Sequence, residues 1–166
     1  MLATKEEFLS SKECDFIISY YKKQKKTIPY FKTRYIRLQD IPFYHFRMKM
    51  LLKKYIRNIK KNFPFLKLTY GQIVLWENNS SRIMHKDTDI PLYNSTGTGI
   101  VDWTSVCYLN DDFKGGETLI EDKAFKPKKG SLLVFNSKQL LHGVNNIFGN
   151  RYTFILWWEE IKNACV

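Results

Sequence analysis

Between Leu68 and Trp158 the chain offers six short runs rich in β-branched and aromatic residues, each stopped by a turn signal before it reaches helical length. The runs are Leu68 to Trp76, Asp102 to Leu109, Gly116 to Glu121, Ser131 to Phe135, Gln139 to Val144 and Tyr152 to Trp158. The breaks are Asn-Asn, Asn-Asp-Asp, Gly-Gly, Pro-Lys-Lys-Gly and Phe-Gly-Asn. A strand must satisfy its backbone N–H and C=O groups from its neighbours. With no helix between successive runs those neighbours are other strands, and the pattern predicts a mainly β sandwich or barrel.

The amino-terminal third reads differently. Ser10 or Ser11 can cap a helix, Glu13 completes a capping box with Ser10, and Phe16, Ile17, Tyr20 and Tyr21 follow at helical spacing. The lysines from Lys22 to Lys26 close it, as cations should at a carboxyl end. Tyr30 to Leu38 alternate enough for an edge strand. After Pro42, a second helix carries Met48, Leu52, Tyr55, Ile56, Ile59 and Phe63 on one face, with Lys49, Lys53, Lys54, Arg57, Lys60 and Lys61 on the rest, until Pro64 stops it. The expectation is one domain over residues 1–166, with a helical part at about 1–67 packed on a β core at about 68–160.

Charge follows the same division. Residues 22–67 hold fifteen Lys or Arg against one acid, Asp40, while the chain as a whole carries +11. Such a face either steers a polyanion or merely solvates two helices. Because the aromatics near the lysines are expected on the core stripe, the second reading predicts weak, salt-sensitive binding to nucleic acid. Cys14, Cys107 and Cys165 are odd in number and lack metal-type spacing, which points to a reducing compartment and incidental thiols. The first residues, Met-Leu-Ala-Thr-Lys-Glu-Glu, are too charged for a signal peptide, and no apolar run approaches the roughly 20 residues of a membrane span. A cytoplasmic protein without a membrane partner is expected. The oligomeric state is not constrained.

Chemistry concentrates in Arg82 to Asp87. In an extended stretch, residues two apart share a face, so His85 and Asp87 can grip one metal ion while Lys86 points away. A His-x-Asp is expected by chance only about 0.14 times in a chain with three His and eight Asp, so the pair gains its force from context. His142, in Leu-Leu-His-Gly, offers a third ligand 55 positions after Asp87, which only a closed β architecture can bring back. Two His and one carboxylate with open positions are the ligand set of non-haem Fe(II) oxygenases. Arg151, nine residues further on, could hold a carboxylate by two parallel hydrogen bonds, and Thr153 faces the same way with a hydroxyl. Thr88 to Val101 is the one long irregular piece, placed where a lid or substrate contact would sit. His45 has no partner pattern and is expected to be exposed.

Cys107 to Thr118 (Cys-Tyr-Leu-Asn-Asp-Asp-Phe-Lys-Gly-Gly-Glu-Thr), Lys126 to Phe135 (Lys-Pro-Lys-Lys-Gly-Ser-Leu-Leu-Val-Phe), His142-Gly143 and Arg151-Tyr152 together resemble the prolyl 4-hydroxylase-like branch of the 2-oxoglutarate and Fe(II)-dependent dioxygenases. Phe-Leu-Ser-Ser-Lys-Glu-Cys is similar to the start of that family's catalytic domain. The resemblance implies a double-stranded β-helix, or jelly roll, with N-terminal helices packed on it. It implies Fe(II) on His85, Asp87 and His142, and the distal carboxylate of 2-oxoglutarate on Arg151. Tyr108 would assist that carboxylate, Thr118 would line the cosubstrate pocket, and Trp157 would form its wall. Trp76 falls where relatives often have tyrosine. O2 as co-oxidant and ascorbate as reductant come with the family, as does hydroxylation of an unactivated C–H bond with succinate and CO2 as coproducts. By analogy the substrate is a prolyl residue of a peptide or protein. A nucleic-acid demethylase would carry a second arginine six residues after the first, and Trp157 stands there. A small-molecule oxygenase remains an alternative. A non-catalytic barrel that only binds is the other, but all three ligands and Arg151 are present.

Overall fold

A computed structural model of the chain describes residues 2–30, 32–89 and 101–161. In chain order they form β1 (Leu2–Lys5), α1 (Ser11–Lys22), β2 (Ile28–Tyr30), β3 (Thr33–Arg37), α2 (Phe46–Asn62), β4 (Leu66–Trp76), β5 (Arg82–His85), β6 (Trp103–Tyr108), β7 (Lys114–Gly115), β8 (Thr118–Ile120), β9 (Lys123–Phe125), β10 (Leu132–Phe135), β11 (His142–Val144), β12 (Ile147–Phe148) and β13 (Arg151–Glu160). All pairings are antiparallel. A major sheet runs β1-β10-β6-β13-β4-β3-β2, a minor sheet β5-β11-β8-β9, and β12 and β7 make a separate ribbon.

The sequence of β13, Arg-Tyr-Thr-Phe-Ile-Leu-Trp-Trp, shows why the major sheet sits in the middle of the molecule. Every one of these residues is buried, because both faces of the strand are covered. Tyr152, Phe154, Leu156 and Trp158 join the core that includes Cys14 and Ile17 of α1 and Met48, Leu51, Tyr55 and Ile59 of α2. Ile155 and Trp157 point the other way, into a second cluster with Val74, Val106, Tyr108, Leu133 and Phe135. Strand alternation thus assigns one face of the sheet to the helices and the other to the space beneath the minor sheet. The result is a jelly roll with helices on its outer side.

The helices form where their caps and apolar spacing predict. Ser10 caps α1: its Oγ accepts from Glu13 N at 3.3 Å, and Glu13 Oε2 accepts from Ser10 N at 2.8 Å. In α2, Leu51 joins the core, whereas the expected Leu52 and Ile56 are half-buried at its margin. The edge strand expected at Tyr30 to Leu38 divides into β2 and β3, and β1 adds an edge at the opposite end. The run expected from Gln139 forms a strand only from His142, because Asn136 first turns the chain: its Oδ1 accepts from Gln139 N at 2.9 Å and its carbonyl from Leu140 N at 3.0 Å. His45 is not exposed as expected. It is half-buried, its ring 4.8 Å from that of Tyr20 and 4.9 Å from that of Tyr44. Most of the irregular piece expected from Thr88 to Val101, residues 90–100, lies outside the described residues, as does Cys165. Cys14 and Cys107 are free and buried. No described helix is long and apolar enough to cross a membrane.

Candidate metal and cosubstrate site

β5 and β11 are neighbours in the minor sheet, with His85 opposite His142 and ring centroids 4.4 Å apart. β5 ends at His85, and Asp87 opens a short 3-10 turn, Asp87–Asp89, rather than continuing the strand. The turn still brings the carboxylate between the two rings. Asp87 Oδ1 lies 3.7 Å from His85 Nε2 and 3.4 Å from His142 Nε2. The three potential ligand atoms all fall within 4.8 Å of one another, the only such group among the described residues. Metal bonds of about 2.1 Å at right angles put adjacent ligand atoms about 3 Å apart, so small side-chain adjustments close this set around one ion.

The surrounding groups orient each of these three side chains. His85 Nδ1 is 2.8 Å from the Ile83 carbonyl, and His142 Nδ1 is 3.1 Å from the Leu140 carbonyl. A carbonyl only accepts, so both Nδ1 atoms carry the proton and both Nε2 atoms keep a lone pair for a cation. Thr104 Oγ1 donates to Asp87 Oδ2 at 2.7 Å and stands 2.9 Å from the Ser137 hydroxyl. Burial by itself would raise the Asp87 carboxyl. The His142 and His85 rings beside it and the hydrogen bond from Thr104 outweigh it and hold the group well below the usual carboxylate range. The carboxylate is 2% exposed and stays charged.

Arg151 opens β13 opposite Trp76 of β4 and is 1% exposed. Its Nη2 donates to Thr118 Oγ1 at 3.0 Å, the same oxygen that accepts from the Tyr108 phenol at 2.7 Å. Nε and Nη1 are buried with no hydrogen-bond partner. The guanidinium carbon lies 5.1 Å from the Trp76 ring centre and 5.3 Å from that of Tyr108. Burial lowers the guanidinium's pKa, yet arginine remains charged in proteins. A buried cation with two unsatisfied donor nitrogens is costly unless an anion meets them, and a carboxylate of a small acid fits that need.

His85, Asp87, His142, Thr118 and Arg151 all line one cavity of about 600 Å³. Trp76, Trp157, Tyr30, Tyr35 and Tyr70 form much of its wall, and Tyr70 packs on Trp157 at 5.6 Å between ring centroids. The expected residues therefore converge, with two adjustments. Thr153 faces the same side as Arg151, but its hydroxyl accepts from Trp76 Nε1 at 3.1 Å and it does not line the cavity. Tyr108 stands behind Thr118 rather than at the wall. Thr104, Ser137 and the three wall tyrosines were missed from the sequence. Thr104 had a legible signal as the polar member of the inward series Thr104, Val106, Tyr108, whereas Ser137 and the tyrosines had none.

Residues 71–159 match the family model of the 2OG-Fe(II) oxygenase superfamily. Among solved structures, the viral collagen prolyl hydroxylase of Paramecium Bursaria Chlorella virus-1 is similar at a TM-score of 0.70 and 18% identity, over 97% of this chain and 96% of the viral one. A Pseudomonas putida prolyl-4-hydroxylase aligns with a TM-score of 0.73 at 16% identity, over 96% of this chain and 92% of its own. A Trichoplax adhaerens prolyl hydroxylase, solved with a hypoxia inducible factor peptide fragment, gives 0.74 at 16% identity over 96% and 83%. These likenesses describe the fold. No curated protein sequence matches the chain.

Proposed function

The chain belongs to the 2OG-Fe(II) oxygenase superfamily, and from that membership we propose that His85, Asp87 and His142 hold its Fe(II), that Arg151 seats the distal carboxylate of 2-oxoglutarate, and that the group oxidised is a prolyl residue of a peptide or protein. As a member it is a 2-oxoglutarate-dependent dioxygenase that uses Fe(II), 2-oxoglutarate and O2. The observation that carries the residue assignment is the buried Arg151, with two unpartnered donor nitrogens in the cavity that also holds the His-Asp-His cluster.

Bound there, iron and 2-oxoglutarate supply the oxidation of an unactivated C–H bond by O2, with succinate and CO2 as coproducts. The protein's own part is preparation. The Ile83 and Leu140 carbonyls fix the imidazole tautomers, and Thr104 fixes the carboxylate. Arg151 and the Thr118 hydroxyl take a carboxylate away from water, with Tyr108 locking Thr118 and Thr153 holding the Trp76 indole over the guanidinium. Tyr35, Tyr70, Ile155 and Trp157 offer an apolar wall.

That wall favours a ring-bearing substrate without positive charge. Asp87 is the only carboxylate among the described residues lining the cavity, so a cationic substrate would lack a counter-ion once Asp87 is committed to metal. Prolyl rings dock well on aromatic surfaces, and similar folds include prolyl hydroxylases. The test is mass spectrometry of proline-containing peptides after incubation with the chain, Fe(II), 2-oxoglutarate and ascorbate. A one-oxygen mass gain on proline, absent with His142→Ala, is expected. Succinate formed with oxygen added only to another residue or to a nucleobase would reject the prolyl reading and keep the oxygenase.

A further inference from the structure

We propose that the outer face of α2, with the turn that precedes it, is a binding platform for single-stranded nucleic acid. Three side chains of that turn and first helical residue stand out in solvent: Phe43 is 89% exposed, Tyr44 69% and Phe46 71%. Large aromatics on a soluble surface cost hydration without gaining burial, and here several lie within four positions. They are not the core-stripe aromatics on which the expectation of weak nucleic-acid binding rested, so that expectation loses its premise.

The charge beside them is organised. α2 holds seven Lys or Arg and no acid. Phe46, Lys49, Lys53, Arg57 and Lys60 fall within about 80° of the helix circumference, and Lys49 to Lys60 spans about 16 Å along its axis. This stripe is opposite the side that buries Met48, Leu51, Tyr55 and Ile59. Lys54, off the stripe, is committed to Glu13 at 2.6 Å, and the Arg47 guanidinium is stacked 4.0 Å from the Phe16 ring centre. Lys49, Lys53, Arg57 and Lys60 form no ion pair with any described residue. Lys49–Lys53 and Lys53–Arg57 are like charges at i,i+4, which destabilise a helix where Glu–Lys pairs would support it. A helix that only needed solvation would intersperse acids. A polyanion relieves the repulsion.

Two features select single-stranded nucleic acid among polyanions. Exposed ring faces beside a basic track stack unpaired bases, whereas duplex bases have no free face to offer. An anionic membrane takes up a continuous apolar stripe along a helix. That stripe of α2, Met48, Leu51, Tyr55 and Ile59, is already against the sheet, so only the aromatics at the start of the helix and Met50 remain exposed. Because that outer face points away from the sheet whose other side lines the cavity, the platform tethers nucleic acid and does not present it for oxidation.

Fluorescence anisotropy of the full chain with labelled oligothymidylate across about 50 to 200 mM salt tests this. Binding is expected with a log–log salt slope of about 0.7 per phosphate contacted. The duplex should bind more weakly. The double variant Phe43→Ala, Phe46→Ala should bind about tenfold weaker or worse at unchanged slope, and Lys53→Glu, Arg57→Glu, Lys60→Glu should flatten the slope. These side chains are exposed, so unaltered circular dichroism and 2-oxoglutarate turnover verify the fold. Absence of binding, equal affinity for duplex, an aromatic double variant that binds like the parent, or preference for phosphatidylserine vesicles or polyglutamate would each overturn the proposal.

Discussion

His85 and His142 face each other across β5 and β11, and the closeness of those strands depends on Gly143. A Cβ at Gly143 would lie 2.7 Å from the Arg82 carbonyl oxygen and 3.1 Å from Met84 Sδ. The first is backbone and cannot swing aside. Gly143→Ala must therefore push the strands apart at the residue next to a proposed ligand. Overpacking of this kind costs about 1–3 kcal/mol. Both thermal stability and Fe(II) affinity should fall; an unchanged Fe(II) titration would show that strand separation does not set the metal site.

Thr104 is the support for Asp87 that can be removed with least disturbance. Thr104→Val keeps shape and deletes the 2.7 Å hydrogen bond to Oδ2. Loss of a group that orients a metal ligand typically costs about 10–100-fold in affinity. The expected result is weaker Fe(II) binding together with a lower melting temperature of the metal-free chain, because Asp87 Oδ2 is left buried without its donor. Equal affinity would mean that the two imidazoles alone position the carboxylate.

On the proposed assignment, Arg151 separates cosubstrate binding from metal binding. Removing one partner of a buried charged contact costs about 2–5 kcal/mol, so Arg151→Ala should raise the 2-oxoglutarate KM well over tenfold while Fe(II) still binds. Arg151→Lys keeps the charge without the two-pronged geometry and should fall between. Steady-state succinate formation against 2-oxoglutarate concentration reads both. An unchanged KM in Arg151→Ala would move the anchor elsewhere.

Burial pushes the Cys14 thiol up to about 11, and it drives Cys107 well above the ordinary thiol range. Both are fully buried in the core beneath the helices. Near pH 8, where an exposed thiol of pKa about 8.5 is partly thiolate, these two stay protonated. Peptide mapping after alkylation should find neither modified in the native chain and both modified in denaturant. Modification of Cys14 in the native state would indicate that α1 opens locally.

Much of the site was legible because its parts depend on local order. His85 and Asp87 are two residues apart, Arg151 begins a strand whose alternation is unambiguous, and Ser10 with Glu13 announces α1 within one helical turn. Turn signals bounded the strands for the same reason, since a turn is decided by the few residues that make it. Period-two alternation put Thr153 on the face of Arg151, whereas the place of Trp157 in the pocket wall came from the family resemblance.

What waited for the tertiary structure was everything carried between distant segments. That Thr104 would reach Asp87, that Thr118 would join Arg151 to Tyr108, and that Thr153 would spend its hydroxyl on Trp76 depend on strands brought together only by sheet closure. Edge strand β1 is short and gains its pairing from β10, Leu2 opposite Phe135 far along the chain. The exposure of Phe43 and Phe46 was hidden for the complementary reason: an aromatic reads as core until the packed helix shows which way it points. Local sequence carries periodicity and caps, whereas a contact across a hundred residues exists only once the backbone has closed on itself.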